Sequence, residues 1–174
     1  MDRTKRYVYN KYFFEVIDTE EKAYWLGFIY ADGYHNEKYH SIKITLKTSD
    51  YEHLLKFNKA IDGNLTLKID NKGAGCKIIV TCKKMSEDIL DKGVMQCKSN
   101  KIIFPNFISK ELMPHFIRGY FDGDGCIPIH RRKETHIEYA GIKIECNDIF
   151  GDKMSEFFIE NNLATKVRKE KKKN

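Results

Sequence analysis

One nine-residue pattern occurs twice in this chain. Trp25-Leu26-Gly27-Phe28-Ile29-Tyr30-Ala31-Asp32-Gly33 and Ile117-Arg118-Gly119-Tyr120-Phe121-Asp122-Gly123-Asp124-Gly125 both place Gly third and two apolar or aromatic residues after it. Both close on a small residue, Asp and Gly. Gly27 with Ala31, and Gly119 with Gly123, put small residues four positions apart on one helical face, so the two helix backbones can approach closely there. The closing glycines, Gly33 and Gly125, are expected to end the helices in the left-handed conformation. Packed side by side, such helices bring Asp32 and Asp124 together at their tips. A carboxylate is mildly unfavourable at a helix C-terminus, so two at matched positions point to a purpose. Paired carboxylates suit hard divalent cations, which take oxygen ligands.

The repeat extends beyond the motif. Asp32 and Asp124 lie 92 positions apart, whereas Ile42-Lys43-Ile44 returns as Ile142-Lys143-Ile144 at a spacing of 100. At that larger spacing Leu54 meets Met154, Phe57 meets Phe157 and Lys68 meets Arg168, and only Lys59 against Ile159 breaks the pattern. The added residues fall around the basic loop His130-Arg131-Arg132-Lys133-Glu134. The fold class expected is α+β, built from a duplicated helix–strand–strand–helix–strand unit. At the same spacing the strand Cys76–Lys83 and its helix would recur past residue 174, so the second copy is read as lacking about one strand and one helix.

Local signals fill in the units. Asp18-Thr19-Glu20-Glu21 starts a helix reaching Asp32. Ser41–Lys47 alternates strictly, with Ile42, Ile44 and Leu46 inward and Ser41, Lys43, Thr45 and Lys47 outward. Ser49-Asp50 caps a helix that Gly63 ends, and Asn64–Asp70 pairs with Cys76–Lys83 around a Gly-rich turn. A short helix follows from Ser86, and Pro114 sits early in the second motif helix. Three regions result: a basic and aromatic lead-in arm at 1–17, a first half at 18–100 and a second at 101–174.

Composition narrows the class. With 41% apolar residues in 174, the chain can bury a core, and its net charge of +6 suits a polyanionic partner as well as it suits a solvated lysine-rich surface. The five cysteines form no C-x2-C pair, so they read as free thiols rather than a zinc site. Neither a secretory signal nor a membrane-length apolar run is present, and the reading is of a soluble intracellular protein without a membrane partner.

The paired motifs and their flanks strongly resemble the LAGLIDADG homing endonucleases. The resemblance runs from about residue 12 and includes Lys98-Ser99, Phe104-Pro105 and Met113-Pro114-His115-Phe116 ahead of the second motif. It implies two pseudosymmetric αββαββα halves, the second shortened, with curved sheets set in the major groove of double-stranded DNA. It implies a monomer that makes Mg²⁺-dependent cuts, double-strand or as a nick, for intron or intein mobility in the cytoplasm of a phage or bacterial host, or in an organelle. Asp32 and Asp124 become the metal ligands, Ala31 and Gly123 offer backbone carbonyls, and Lys98 matches the lysine beside the cleavage pocket. DNA contact falls to Lys43, Thr45, Lys47 and Lys68, then to Arg131, Arg132, Lys143, Glu145 and Arg168. Gly27, Ala31, Gly119 and Gly123 remain helix-packing residues. A DNA-binding remnant without cleavage, or an RNA maturase of the same fold, is the alternative.

Overall fold

The computed structural model describes residues 6–96, 101–131 and 138–170. Helix α1 (Glu20–Asp32) lies at the centre. Thr19 caps it by accepting from the Lys22 N–H at 3.2 Å, and Glu20 and Glu21 sit in its first turn, where the helix dipole favours carboxylates. All six residues from Trp25 to Tyr30 are buried, so this helix has no solvent face along that stretch. Strand β1 (Gly33–Asn36) leaves its tip directly, followed by β2 (Ser41–Lys47), a single 3₁₀ turn (Thr48–Asp50) and α2 (Tyr51–Ala60). Strands β3 (Lys68–Ile69) and β4 (Gly75–Thr81) form a hairpin, and α3 (Lys83–Asp91) completes the first half.

The sheet is antiparallel throughout, in the order β1-β2-β4-β3. In β2 the side chains of Ile42 and Ile44 are buried while Thr45 and Lys47 are exposed, as the alternation requires. The hairpin turn is closed by Asp70, whose Oδ1 accepts from the N–H groups of Lys72 and Ala74, and by Gly73 at φ 69°. Helix α2 ends differently from expectation. Asp62, not Gly63, takes the left-handed conformation (φ 51°), and Gly63 is needed because a Cβ there would stand 2.3 Å from Asn58 Oδ1.

The second motif helix, α4 (Met113–Asp124), carries Pro114 in its first turn. Beyond it come β5 (Gly125–Cys126), β6 (Ile129–Arg131), β7 (Glu138–Ala140), β8 (Lys143–Ile144) and α5 (Asp148–Glu160). Among the described residues these strands pair as β5–β8 and β6–β7. The register nevertheless follows the first half: Gly33 faces Ile44 and Tyr34 faces Lys43, while Gly125 faces Ile144 and Cys126 faces Lys143. Leu54 and Met154, matched at the spacing of 100, are both buried.

Two expectations need correction here. Gly33 and Gly125 are extended (φ −73° and −98°), not left-handed. What demands glycine is closeness: a Cβ on Gly33 would lie 2.6 Å from the Ile29 carbonyl, and on Gly125 2.4 Å from that of Phe121. The lead-in arm is also no mere arm, because Phe13 and Phe14 are buried in the core. Phe14→Ala should therefore cost about 3–5 kcal/mol, the range for emptying a buried phenylalanine site. Urea titration measures this, and a shift worth less than about 1 kcal/mol would contradict the placement. No helix among the described residues is long and apolar enough to cross a membrane.

Candidate active site and nucleic-acid interface

The approach of α1 to α4 sets the site. A Cβ on Gly27 would stand 2.0 Å from the Phe116 carbonyl oxygen, and one on Gly119 would stand 1.9 Å from that of Tyr24. The two contacts mirror each other: Gly27 sits against Phe116 and Tyr120, and Gly119 against Tyr24 and Phe28, each partner displaced by the motif spacing. One turn on, Gly123 meets Ala31. Contacts that advance together along both helices mean that the helices run in the same direction, so Asp32 and Asp124 lie at the same end.

There the surroundings differ. Asp32 is exposed and Asp124 half-buried. A Cβ on Gly123 would fall 3.3 Å from Asp32 Oδ2, so the missing side chain leaves room beside that carboxylate. Asp32 lines an open cleft together with Thr45, Lys47, Asp50, His53 and Asp122. On the other side, the Asp124 carbonyl accepts from the Glu145 N–H at 2.9 Å, and the Tyr120 hydroxyl donates to the Glu145 carbonyl at 3.0 Å. Burial, aided by the charge of Asp124, pushes the Tyr120 phenol up.

A polar chain lies in the wall of the Asp32 cleft: His53 and Asp122 line that cleft, and both also line a neighbouring one with Tyr24 and Arg118. The Tyr24 hydroxyl donates to Asp122 Oδ2 at 2.6 Å and lies 3.1 Å from His53 Nε2. The guanidinium of Arg118, one turn before Asp122, sits 4.9 Å over the Tyr24 ring. Burial and the hydrogen bond to Asp122 raise the Tyr24 phenol. Burial between Trp25 and Phe28 lowers His53, opposed chiefly by the charge of Asp122. The motif repeat did not reveal this chain, because at the motif spacing Tyr24 corresponds to Phe116 and Asp122 to Tyr30.

The donor set suits a hard cation. Asp32 offers a carboxylate with open space beside it, and Ala31 and Gly123 lie in last turns whose carbonyls point out of the helix ends. Among the described residues no three His, Cys, Asp or Glu side chains form a self-sufficient cage. A cation here would therefore complete its shell with water or a substrate oxygen, as Mg²⁺ commonly does.

On the outer sheet face, Lys43 stands 4.8 Å over the Tyr34 ring, and Thr45, Lys47 and Lys68 are exposed. Strand register adds residues that the sequence reading missed: Lys77 pairs with both Thr45 and Lys68, and Ile79 pairs with Lys43. Alternation along Gly75–Thr81 was the available signal. In the second half, Arg131 pairs with Glu138 across β6–β7, and Lys143 is tied to Glu170 at 3.1 Å. Glu145 and Arg168 are not strand residues. The Glu145 backbone is spent on Asp124 and Tyr120, and Arg168 lies in irregular chain, since the β4 that pairs with Lys68 has no counterpart among the described residues. Lys98 and Arg132 fall outside the described residues.

Residues 111–174 match the family model for a LAGLIDADG-like domain. No curated protein matches the chain. Among solved structures it is similar to the I-SmaMI LAGLIDADG homing endonuclease bound to cleaved DNA, at 14% identity over 87% of this chain and 74% of that one, with a TM-score of 0.57. I-SmaMI bound to uncleaved DNA target in the presence of calcium ions gives 14% identity, 85% and 74% coverage and a TM-score of 0.56. The I-LtrWI LAGLIDADG homing endonuclease bound to target DNA gives 12%, 81%, 71% and 0.51. At such identities the likeness is one of fold.

Proposed function

We propose that this chain, which has the LAGLIDADG homing endonuclease fold and carries a LAGLIDADG-like domain at residues 111–174, is a monomeric DNA endonuclease. The observation that carries the reading is the co-directional helix pair, which sets Asp32 beside Gly123 at one end of the molecule. The DNA-bound states of the similar structures support double-stranded DNA as the partner.

In this reading the outer face of the first sheet lies along the duplex. Lys47, Lys68 and Lys77 neutralise phosphates and set position, while Lys43 and Thr45 face base edges. A divalent cation, Mg²⁺, would be held by Asp32 and Asp124 with the Ala31 and Gly123 carbonyls, and when bound it supplies charge stabilisation at the scissile phosphate and a more acidic water. Asp32 orients that position, and the absence of a side chain at Gly123 keeps it accessible. Lys98 is the catalytic lysine beside the scissile phosphate in this reading, and Arg131, Arg132, Lys143, Glu145 and Arg168 are further DNA contacts. The chain would act inside cells, where the target of such a mobile element lies.

A DNA-binding protein that does not cut is the second reading. It is favoured by the second half, whose described strands run only two or three residues each. Duplexes selected from a random pool by binding, then incubated with Mg²⁺ or with chelator, separate the two: Mg²⁺-dependent cleavage supports the first reading, and binding without cleavage the second.

The lysine assignment is tested separately. Replacing Lys47, Lys68 and Lys77 by Ala should weaken binding to all duplexes and flatten the log–log salt slope by about 0.9 per lysine. An unchanged slope would place the duplex elsewhere.

A further inference from the structure

The polar chain in the wall of the Asp32 cleft has a role that neither the fold nor the motif assigns. His53 belongs to α2, Tyr24 to α1 and Asp122 to α4, so the chain ties three helices from both halves of the molecule. Its hydrogens can be placed. The single Tyr24 hydroxyl proton is directed at the Asp122 carboxylate, 2.6 Å away. The Tyr24 oxygen is then the acceptor for His53, which must carry hydrogen on Nε2. Arg118 holds the same Tyr24 ring from the neighbouring turn of α4.

We propose that Tyr24 and His53 are positioning residues for the Asp32 side of the site: through Asp122 they fix the last turn of α4, and with it Gly123, against Asp32. The proposal rests on the endonuclease reading for its consequence in catalysis, but not for the linkage itself. The arrangement is one-sided. Phe116, Leu26 and Tyr30 stand where a mirrored chain would need Tyr24, Arg118 and Asp122, so the Asp124 side lacks it.

A proton on His53 should be felt along this chain. The groups facing His53 are Tyr24 and Asp32 of α1, Asp50 before α2, Lys56 of α2 and Asp122 of α4. Its neutral form is favoured by burial, so it charges only at acid pH, below the ordinary imidazole range. Charging it puts a cation next to the carboxylates of the cleft and makes it a stronger donor to the Tyr24 oxygen, which in turn strengthens the Tyr24–Asp122 bond and passes the change to the last turn of α4.

The test is an NMR pH titration of the full chain, following the His53 ring and the backbone amides of Asp32 and Gly123. In the wild type, the Gly123 amide should titrate with the His53 midpoint. Tyr24→Phe keeps the ring under Arg118 but removes both hydrogen bonds; there His53 should still titrate while Gly123 no longer follows. A Gly123 amide that ignores His53 in the wild type, or follows it equally in Tyr24→Phe, overturns the linkage. Strand-resolved cleavage then reads the consequence. Tyr24→Phe should slow the strand assigned to Asp32 about tenfold, with the other strand changed less than about twofold, as expected when a supporting group is misplaced. Equal loss on both strands, or none, overturns the positioning role. A wild type that cuts nothing overturns only the endonuclease reading, because the NMR result decides the linkage independently.

Discussion

Gly119→Ala should leave the chain unable to close its central helix pair. The added Cβ would stand 1.9 Å from the Tyr24 carbonyl oxygen, 2.8 Å from that carbonyl carbon and 3.0 Å from the Phe28 nitrogen. Overpacking usually costs 1–3 kcal/mol because a flexible side chain can yield. Here every obstacle is backbone of α1, which is buried without a break from Trp25 to Tyr30, so α1 and α4 must separate. Separation opens the contacts of Phe116, Tyr120 and Phe28 and loosens the aromatic cluster in which Tyr120 stacks on Phe150 at 4.7 Å. The expected cost is at least about 4 kcal/mol, a large share of the stability of a domain this size. Gly73→Ala is the matched control. Nothing lies within 4 Å of its Cβ, and its penalty is only the strain of φ 69°, worth about 1 kcal/mol. Urea midpoints for the two variants should differ accordingly, and equal midpoints would mean that the helices do not meet where described.

Asp32→Asn has the opposite profile: almost no effect on folding and a large one on chemistry. The side chain is exposed and sits at a helix C-terminus, in a cleft it shares with Asp50 and Asp122. Removing its charge relieves repulsion from the helix dipole and from those neighbours, so stability should change by less than about 0.5 kcal/mol, in the favourable direction. DNA affinity without metal should hold or rise slightly, since one negative charge near the phosphates is gone. Cleavage of one strand should fall about a thousandfold, the scale of losing several kcal/mol of metal-derived charge stabilisation. Loss of binding or of folding instead would make Asp32 a structural residue.

Much of this arrangement was legible in the sequence, for identifiable reasons. Gly27, Ala31, Gly119 and Gly123 recur at helical spacing, and backbone contact is the physical reason for such a stripe, so the helix pair could be read before any coordinates. The alternation of Ser41–Lys47 likewise determined which face is buried, and the return of Ile42-Lys43-Ile44 at Ile142 is matched by the Gly33–Ile44 and Gly125–Ile144 register. Other features were not legible. Phe13 and Phe14 look like part of a loose arm until the core that buries them is known. The reason for Gly33 lies in the Ile29 carbonyl it packs on, a distance with no sequence signature. Reading by repeat also hides what is unrepeated: Tyr24, His53 and Asp122 have no twins, so symmetry drew attention away from the residues that make the two sides of the site unlike.

The same asymmetry shapes what cleavage should look like. The Asp32 side has a four-stranded sheet behind it and a hydrogen-bonded chain in the wall of its cleft. The Asp124 side has Tyr120 and the Glu145 backbone, with two-stranded pairings among the described residues beyond. One strand should therefore be cut faster than the other, and nicked duplex should accumulate before linear product.

The most direct measurement uses a binding-selected duplex labelled on both strands, incubated with the wild type, Asp32→Asn and Asp124→Asn in Mg²⁺ and in chelator. The endonuclease account predicts cutting by the wild type only with Mg²⁺, and loss of one strand's product in each variant, a different strand in each. A wild type that binds the duplex yet leaves both strands intact, or cutting that persists in Asp32→Asn on both strands, would contradict it.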